Sequence, residues 1–303
     1  MLGARSNIHR QRLRAAFALA GQPIVAEASR RDGDTAPYVE VLQDRTVDAV
    51  YVPLPNSLHV EWVTRALEAG KHVLCEKPLA LTATDVETLF AAADAAGRHL
   101  SEAYVWPHHP RALALLQLVA DGGIGDLRSH HAVFTFPLDR PDDHRLDDRG
   151  GGALVDVGIY CIAPALVMSG SEPGAVSASA VRNEHGHDLS MTGWVELGAG
   201  ASATFAVSYE APNRRSQEVI GTAGVVVIDN HTPGPDRPGA FTVVAPDGSR
   251  EEVPYAGANA YERMVTAFAA EAAGDTAPRW GATESIRHAH LLDRLHAASG
   301  REV

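Results

Sequence analysis

Apolar and polar positions follow two different patterns along the chain, and the change comes near residue 104. Before that point, short apolar runs alternate with segments of helical spacing. The predicted strands are 24–28, 48–52, 72–75 and 99–104, and the predicted helices are 57–69 and a segment from Thr82 or Thr84 to Ala96. Strands that alternate with helices indicate βαβ units and a parallel sheet.

Beyond residue 104 the apolar residues mostly alternate with polar ones, which is typical of half-buried antiparallel strands. These segments are 127–137, 176–185, 189–198, 201–210, 216–228 and 240–255, with a hairpin turn at 246–248. Helices are predicted over 152–168, 260–273 and 283–298. The sequence therefore predicts an α/β fold: a parallel-sheet domain over 1–103, and an α+β domain with a large, mostly antiparallel sheet over 104–303.

Composition and charge exclude several classes of protein. The formal net charge of −12 argues against nucleic acid or an anionic membrane surface as the main partner. No apolar stretch of about 18 residues is present, so we expect no membrane span. Residues 1–14 have no apolar run, so we expect no secretory signal. The only cysteines, Cys75 and Cys161, indicate buried thiols in a reducing cytoplasm rather than a disulfide framework.

Lysine is unusually scarce in this chain. Of 26 basic residues, only Lys71 and Lys77 are lysine, and the others are arginine. A lysine amine can shift its pKa and present a compact charge, which a guanidinium cannot. Lys77 also follows the predicted strand 72–75, and ligands bind beyond the carboxyl ends of parallel strands. Lys77 is therefore a candidate catalytic residue; the alternative is a surface lysine after a strand.

The second domain contains a glycine run, Gly150 to Gly152, followed by Asp156 and Tyr160. If this segment is helical, Asp156 and Tyr160 lie four residues apart on one face. A carboxylate, a phenol and the ammonium of Lys77 would form a proton-transfer set. The alternative is a structural pair at the start of a buried helix.

These motifs, in this order, resemble the Gfo/Idh/MocA family of nicotinamide-dependent sugar oxidoreductases. The segments that carry the resemblance cover most of the chain: 47–59, 69–79, 124–128, 151–160 and 218–224. Within the family, the chain is most similar to the branch of sugar-nucleotide 3-ketoreductases, xylose dehydrogenases and dihydrodiol dehydrogenases. The resemblance implies a Rossmann-like dinucleotide-binding domain over 1–103, and a domain with an open-faced sheet over 104–303 for substrate binding and oligomerisation.

The resemblance also implies residue roles. Lys77 would contact the substrate oxygen and the nicotinamide ribose, Tyr160 would give or take the proton, and Asp156 would be its acidic partner. The Lys77–Pro78 bond resembles one that is often cis in the family. Further cofactor contacts are expected from Gly3, Pro53, Leu54, Asn56, His59 and Glu76. Substrate contacts are expected from Trp106 and from His108 or His109, for which packing or structural roles are the alternatives.

The choice of cofactor depends on the residues after the predicted strand 24–28. Ser29, Arg30 and Arg31 stand where an acidic residue would hold a ribose 2′-hydroxyl. A hydroxyl and two guanidinium groups suit a 2′-phosphate instead. We therefore expect NADP(H) in preference to NAD(H).

The sequence departs from the family at its N-terminal end. The family's first strand and first glycine are missing, and Gly3 matches the second glycine. Only 16 residues, Asp32 to Val47, separate Arg31 from the next strand, enough for about two helical turns over 38–44. A misplaced start codon would explain the first gap but not the second; genuine decay of the nucleotide-binding domain is the other account.

The expected function is reduction of a sugar ketone, or oxidation of the matching alcohol, with NADP(H). The alternative is a cofactor-free or inactive family member that binds a sugar or a protein. No metal site is expected, since neighbours such as His108 and His109, or His130 and His131, point to opposite faces if they lie on a strand. A homodimer or homotetramer formed through the C-terminal sheet is expected.

Overall fold

The computed structural model describes residues 1–6, 8–30, 34–140, 142–230 and 236–300. This part of the chain divides into two compact units. Unit 1 contains Met1–His108 and Asn259–Ile286, and unit 2 contains His109–Ala258 and Arg287–Val303. The sequence placed the boundary between residues 103 and 104 and assigned everything after it to one domain. The return of 259–286 to unit 1 could not be predicted from local patterns.

Unit 1 is built from alternating helices and strands. A π-helical turn, His9–Leu13, leads into the first helix. The elements before residue 108 are α1 (Arg14–Leu19), α2 (Ala36–Gln43), β1 (Ala49–Val52), α3 (His59–Glu68), β2 (His72–Glu76), α4 (Ala83–Ala96) and β3 (Leu100–Ala103). The strands form a parallel sheet in the order β1-β2-β3, which confirms the predicted Rossmann-like architecture.

The caps of α4 follow from its sequence. Thr82 is the N-cap, and its hydroxyl accepts a hydrogen bond from the amide of Asp85 at 3.2 Å. Gly97 ends the helix at φ +58°, a left-handed conformation that favours glycine. Of the two predicted caps, Thr82 is therefore the one used, and the predicted C-terminal boundary is confirmed.

Unit 2 contains the large sheet. Its elements are α5 (Pro110–Ala120), β4 (Leu127–Thr135), α6 (Ala153–Ser169), β5 (Val176–Arg182), β6 (Asp188–Gly198), β7 (Ala201–Ser208), β8 (Arg214–Gly221), β9 (Val225–Ile228), β10 (Gly239–Val244) and β11 (Arg250–Tyr255). The strand order is β11-β10-β9-β8-β4-β7-β6-β5. Among the described strand pairs of this large sheet, β4–β7 is parallel and the others are antiparallel, which confirms a mostly antiparallel sheet.

One face of this sheet is covered by α6. Its residues Leu154, Val157 and Ile162 are buried and pack into a core with Phe134 and Phe205 of the strands. The last two helices are α7 (Ala260–Ala272), which belongs to unit 1, and α8 (Ala282–Ala298), which runs from unit 1 into unit 2. The apolar side of α8 joins the unit 2 core through buried leucines at 291, 292 and 295.

The structure differs from the sequence prediction at three segments, one in unit 1 and two in unit 2. The segment 24–28 is not a strand: only Ala28 pairs, through a single parallel bridge with Leu2. The helix α5 was missed, although Pro110 at its first position and its apolar run are compatible with one. The segment 216–228 forms two strands, β8 and β9, because the chain turns between Gly221 and Gly224.

Residues Met1 to Gly3 lie beside β1, on the side away from β2. The amide of Leu2 donates to the carbonyl of Tyr51 at 3.0 Å, and the amide of Ala28 donates to the carbonyl of Met1 at 3.0 Å. A cavity of about 540 Å³ adjoins Met1 and is lined by Val25 and Val50, among others. Residues 1–3 thus form a backbone link between the 26–28 segment and the sheet.

His288 gives unit 2 a sensitivity to acid. Burial lowers its pKa from 6.5 to about 3, so the imidazole is neutral in the folded protein and takes up a proton near pH 6.5 on unfolding. Stability therefore falls as the pH drops below 6.5, by about 2 kcal/mol between pH 7 and pH 5. We expect His288→Gln to flatten this limb in chemical denaturation at both pH values. An unchanged slope would mean that His288 is not the group responsible.

Candidate active site

The loop after β2 presents the first candidate group. β2 lies between β1 and β3, so its carboxyl end is at the centre of the parallel sheet. Glu76 ends the strand, and half-buried Lys77 follows it. The Lys77–Pro78 peptide bond is cis, as the resemblance implied. The predicted placement of Lys77 at a strand end, where ligands bind in such sheets, is thus what the structure has.

A buried imidazole holds this loop against its neighbour. His59 is 0% exposed; its Nδ1 lies 2.8 Å from the carbonyl oxygen of Pro78, and its Nε2 lies 2.9 Å from that of Leu54. Burial lowers the pKa of His59, and a neutral imidazole donates from one nitrogen only. The sequence expected a cofactor contact from His59, whereas its ring contacts the backbone of two loops that carry other expected cofactor residues.

Two carboxylates support the same loop from inside the sheet. The hydroxyl of Tyr51 donates to Oε1 of Glu76 at 2.6 Å, and burial raises the pKa of both groups. Glu102 of β3 accepts from the amide of Leu79 at 3.0 Å and from Nε1 of Trp280 at 2.8 Å. Glu76, expected at the cofactor, is therefore engaged with Tyr51, a partner that the sequence did not suggest.

The turn at Gly3 packs closely against the loop that follows β1. Gly3 has φ +80°, and a Cβ there would lie 2.8 Å from Cδ2 of Leu54 and 3.1 Å from the carbonyl oxygen of Pro53. Only glycine suits this conformation and this space. The turn therefore lies directly against the Pro53–Leu54 loop, and its amide donates to the carbonyl of Ala28 at 2.9 Å.

The next residue, Ser29, has a polar atom that fits a cofactor. Its Oγ is buried and has no hydrogen-bond partner among the described residues. A buried hydroxyl of this kind is stabilised by a ligand with acceptors or donors, such as a phosphorylated ribose. Arg30 is exposed beside it, and Arg31 lies outside the described residues. Asn56 starts a short 3₁₀ turn, Asn56–Leu58, next to the Leu54 loop.

The residues expected at the substrate in unit 1 are mostly packed. Trp106 is 1% exposed and stacks on Tyr104 at a ring distance of 6.2 Å. Tyr104 in turn makes an edge contact with Trp280 at 4.8 Å. His108 is buried, and burial lowers its pKa to about 4, so it is neutral near pH 7. These contacts support the packing alternative for Trp106.

In unit 2, the start of α6 is held by a distant carboxylate. Gly152 is the N-cap and has no side chain to cap the helix; Oδ2 of Asp188 accepts from the amide of Leu154 at 2.7 Å instead. A Cβ on Gly152, which has φ +102°, would lie 2.5 Å from Oδ1 of Asp188. The glycine run therefore lets a buried acid reach the helix N-terminus.

Asp156 lies in the first turn of α6, and Tyr160 follows one turn later. Oδ2 of Asp156 lies 3.0 Å from the hydroxyl of Tyr209 and 3.0 Å from Nε of Arg145. Tyr160 is half-buried, with its ring 5.6 Å from that of Phe134. The helix thus places Asp156 and Tyr160 at i and i+4. Two residues outside the helix, Arg145 and Tyr209, also contact Asp156.

His109 has a structural part in unit 2. Its Nδ1 accepts a hydrogen bond from the amide of Arg111 at 3.1 Å, which caps the start of α5, and the residue is 3% exposed. Its ring lies 5.7 Å from that of Tyr255. His108 and His109 are therefore both buried.

Lys71, the other lysine, is a structural residue. Its Nζ donates to the carbonyls of Asp44 and Val47 at 2.8 and 2.7 Å, and the residue is 8% exposed. The scarcity of lysine therefore also singled out a residue with a structural role. Within the described ranges, no group of three or more His, Cys, Asp or Glu residues could hold a metal ion. The search of the described helices found none that is long and apolar enough to cross a membrane.

Two family models match the chain. Residues 7–104 match the oxidoreductase family with an NAD-binding Rossmann fold, and residues 112–227 match the GFO/IDH/MocA C-terminal domain. The chain is 40% identical over 202 residues to the uncharacterized oxidoreductase ORF334 of Rhizobium meliloti, a match that spans 66% of this chain and 60% of that protein. The match therefore spans less than two thirds of this relative's length.

Other relatives match over more of their length. The dTDP-3,4-didehydro-2,6-dideoxy-alpha-D-glucose 3-reductase of Actinomadura kijaniata is 33% identical over 267 residues, covering 86% of this chain and 80% of the reductase. The crystal structure of KijD10, a 3-ketoreductase from Actinomadura kijaniata, in complex with NADP and TDP-benzene, superposes with a TM-score of 0.88. That alignment has 30% identity and covers 98% of this chain and 96% of KijD10. The chain belongs to the Gfo/Idh/MocA family of oxidoreductases.

Proposed function

We propose that this protein is an NADP(H)-dependent oxidoreductase that reduces a ketone of a nucleotide-linked sugar, or oxidises the corresponding alcohol. The observation that carries the proposal is the nearly full-length likeness to KijD10, which was crystallised with NADP and TDP-benzene. The residues of this chain support it, since Lys77, Asp156 and Tyr160 are all present. The alternative of an inactive binding module is not favoured.

The nucleotide-binding part would be formed by the Gly3 turn, Ser29 and Arg30. Gly3 would allow the turn itself, because its φ of +80° favours glycine and a Cβ there would collide with Leu54. Ser29 Oγ, buried and unpartnered among the described residues, and the exposed guanidinium of Arg30 would bind the 2′-phosphate. When bound, the nicotinamide supplies the hydride chemistry.

The proton would be handled by side chains of the protein. Lys77 would place its ammonium at the substrate oxygen and stabilise negative charge that develops there. Tyr160 would give the proton to that oxygen in reduction, or accept it in oxidation. Asp156, one helical turn before Tyr160 on α6, would be the acidic partner of Tyr160. The His59 and Glu102 contacts would keep the Lys77 loop in place.

The test is a titration of the purified chain with NADPH and NADH, followed by an assay with a dTDP-linked 3-keto sugar. We expect saturable binding that is tighter for NADPH, and oxidation of NADPH when the sugar is added. Absence of binding by either nucleotide would overturn the proposal.

Arg30→Ala tests whether Arg30 binds the 2′-phosphate of NADPH. We expect the affinity for NADPH to fall about tenfold, because a charge-assisted hydrogen bond is lost, while NADH binding stays nearly unchanged. Nucleotide fluorescence titrations measure both. Arg65→Ala, which removes a surface arginine paired with Glu61 on α3, is the control. Equal losses for both nucleotides would show that Arg30 does not distinguish them.

We also propose a homo-oligomer formed through the face of the large sheet opposite α6. Trp194 is 37% exposed on this face, where it pairs in register with Thr204. Trp194→Glu is expected to lower the oligomer's sedimentation coefficient to that of a monomer, because it places a charge in an apolar contact. Leu19→Glu, at an exposed apolar position of α1, is the control. A monomeric unmodified chain would contradict the proposal.

A reducing, cytoplasmic location is our inference from the cysteines. Cys75 and Cys161 are free thiols, and both are buried. Burial raises the pKa of each thiol, so neither is in its reactive thiolate form near neutral pH.

A further inference from the structure

Asp156 is surrounded by a cluster that its local sequence does not indicate. We define the Asp156 clamp as Arg145, Asp156 and Tyr209. Both partners contact the same carboxylate oxygen: Nε of Arg145 and the hydroxyl of Tyr209 each lie 3.0 Å from Oδ2. Two donors on one oxygen fix the rotation of the carboxylate, which one donor would leave free to turn.

We propose that Arg145 and Tyr209 are positioning residues that hold the Asp156 carboxylate in one orientation relative to Tyr160. This inference rests on the proposed function for its catalytic meaning. It assigns the two tyrosines near Asp156 different parts: Tyr160 exchanges the proton with substrate, and Tyr209 keeps its proton throughout.

Tyr209 is suited to holding the Asp156 carboxylate and unsuited to exchanging a proton with substrate. It is 3% exposed, and its hydroxyl lies between Oδ2 of Asp156 and the carbonyl oxygen of Gly152, at 3.0 and 3.2 Å. Burial and the charge of Asp156 raise its pKa well above 10. Its ring lies 5.3 Å from that of Phe136, which fixes the side chain from the other side. Tyr160, by contrast, is half-buried.

Arg145 is brought to the clamp by a folded loop. Oδ1 of Asp143 accepts from the amide of Arg145 and from its Nη1, both at 3.1 Å. The amide of Gly152 donates to the carbonyl of Arg145 at 3.1 Å. A Cβ on Gly150 would lie 2.4 Å from Cα of Arg145, so this closure requires glycine. The loop therefore joins the start of α6 to the arginine that contacts its first turn.

Arg145 also balances the charge of Asp156. Burial acts to lower the pKa of Arg145, but the charges of Asp156 and Asp143 outweigh burial and raise it. The other charged or titratable groups that face the clamp among the described residues are His144, whose pKa burial lowers, and Asp188 beside Tyr209. Arg145 contacts the carboxylate directly, as a cation.

The first experiment is a double-mutant cycle on Tyr209→Phe and Asp156→Asn. Tyr209→Phe keeps the ring against Phe136 and removes the hydroxyl. We expect kcat to fall about tenfold while KM for NADPH stays unchanged, and we expect no further loss when Tyr209→Phe is added to Asp156→Asn. Tyr255→Phe in β11 is the matched control and should leave kcat unchanged. Additive losses would mean that Tyr209 does not act through Asp156.

Rescue by charge tests Arg145. Arg145→Lys should keep most of kcat, whereas Arg145→Met should lose about tenfold, because only the lysine retains a cation beside Asp156. Equal activity in the two variants would overturn the part assigned to Arg145.

A measurement that does not need turnover separates this inference from the proposed function. In ¹³C NMR of chain labelled at Asp carboxyls, the Asp156 signal is identified by its loss in Asp156→Asn. We expect it to titrate at higher pH in Arg145→Met and in Tyr209→Phe than in the unmodified chain, since each change removes a group that stabilises the carboxylate. An unmoved titration would overturn the clamp. An inactive unmodified chain with a shifted titration would overturn the proposed function alone.

Discussion

Lys77→Met is expected to lower kcat about 10³-fold and to leave the fold intact. The substitution removes the ammonium that we propose acts at the substrate oxygen, with little change in side-chain volume. The loop itself is held by other groups: His59 contacts the carbonyl of Pro78, and Glu102 accepts from the amide of Leu79. Circular dichroism and thermal unfolding should therefore match the unmodified chain. Steady-state kinetics with NADPH and a sugar ketone measure the loss.

Lys71→Met is the matched control, since it removes the other lysine. Lys71 donates to the carbonyls of Asp44 and Val47 from a buried position, so two acceptors lose their partner. We expect the free energy of unfolding to fall by about 2–4 kcal/mol. The kcat of the folded fraction should not change. If Lys77→Met retained activity, or if Lys71→Met abolished it without unfolding the protein, the assignment of the two lysines would be wrong.

Glu102→Gln is expected to destabilise unit 1 by about 3 kcal/mol, through loss of charge-assisted hydrogen bonds. The carboxylate is 6% exposed, and its donors are the amide of Leu79, Nε1 of Trp280 and Oγ of Ser285. A carboxamide has only one acceptor oxygen, and its NH₂ would face a donor. Denaturant unfolding measures the change.

The comparison for Glu102→Gln is Ser285→Ala. It removes one of the three donors, at 2.7 Å, and leaves the carboxylate in place. The expected loss is about 1 kcal/mol. If the two variants were equally stable, the carboxylate would contribute no more than the serine hydrogen bond, and its central part in unit 1 would be refuted.

The sequence predicted those parts of the fold in which local signals agree. Thr82 and Gly97 bound α4 because each acts on its own helix end. The strand predicted over 24–28 was wrong for the opposite reason. A strand needs a partner strand, and in the described residues this segment pairs through the single bridge between Ala28 and Leu2. Strand formation depends on such distant pairing, so composition alone overestimated the strand.

The sequence could relate candidate site residues to one another only where they lie close together in the chain. Asp156 and Tyr160 lie on one helix, so their relation follows from a separation of four residues. Arg145 and Tyr209 reach the same carboxylate from 11 residues before and 53 residues after it, and no periodicity connects these positions. The cofactor contact expected of His59 came from the family resemblance; its burial is a property of the packed fold.

The contacts of Glu102 bear on the order in which the protein can fold while it is being synthesised. Its partners Trp280 and Ser285 lie 178 and 183 residues further along the chain. During synthesis β3 leaves the ribosome long before these two residues, so the carboxylate lacks two of its donors until residues 280–285 have emerged. A fragment ending at residue 108 would lack two of the donors to this carboxylate. Unit 1 therefore begins first but gains its last segment, Asn259–Ile286, only after residues 109–258 of unit 2 have been made.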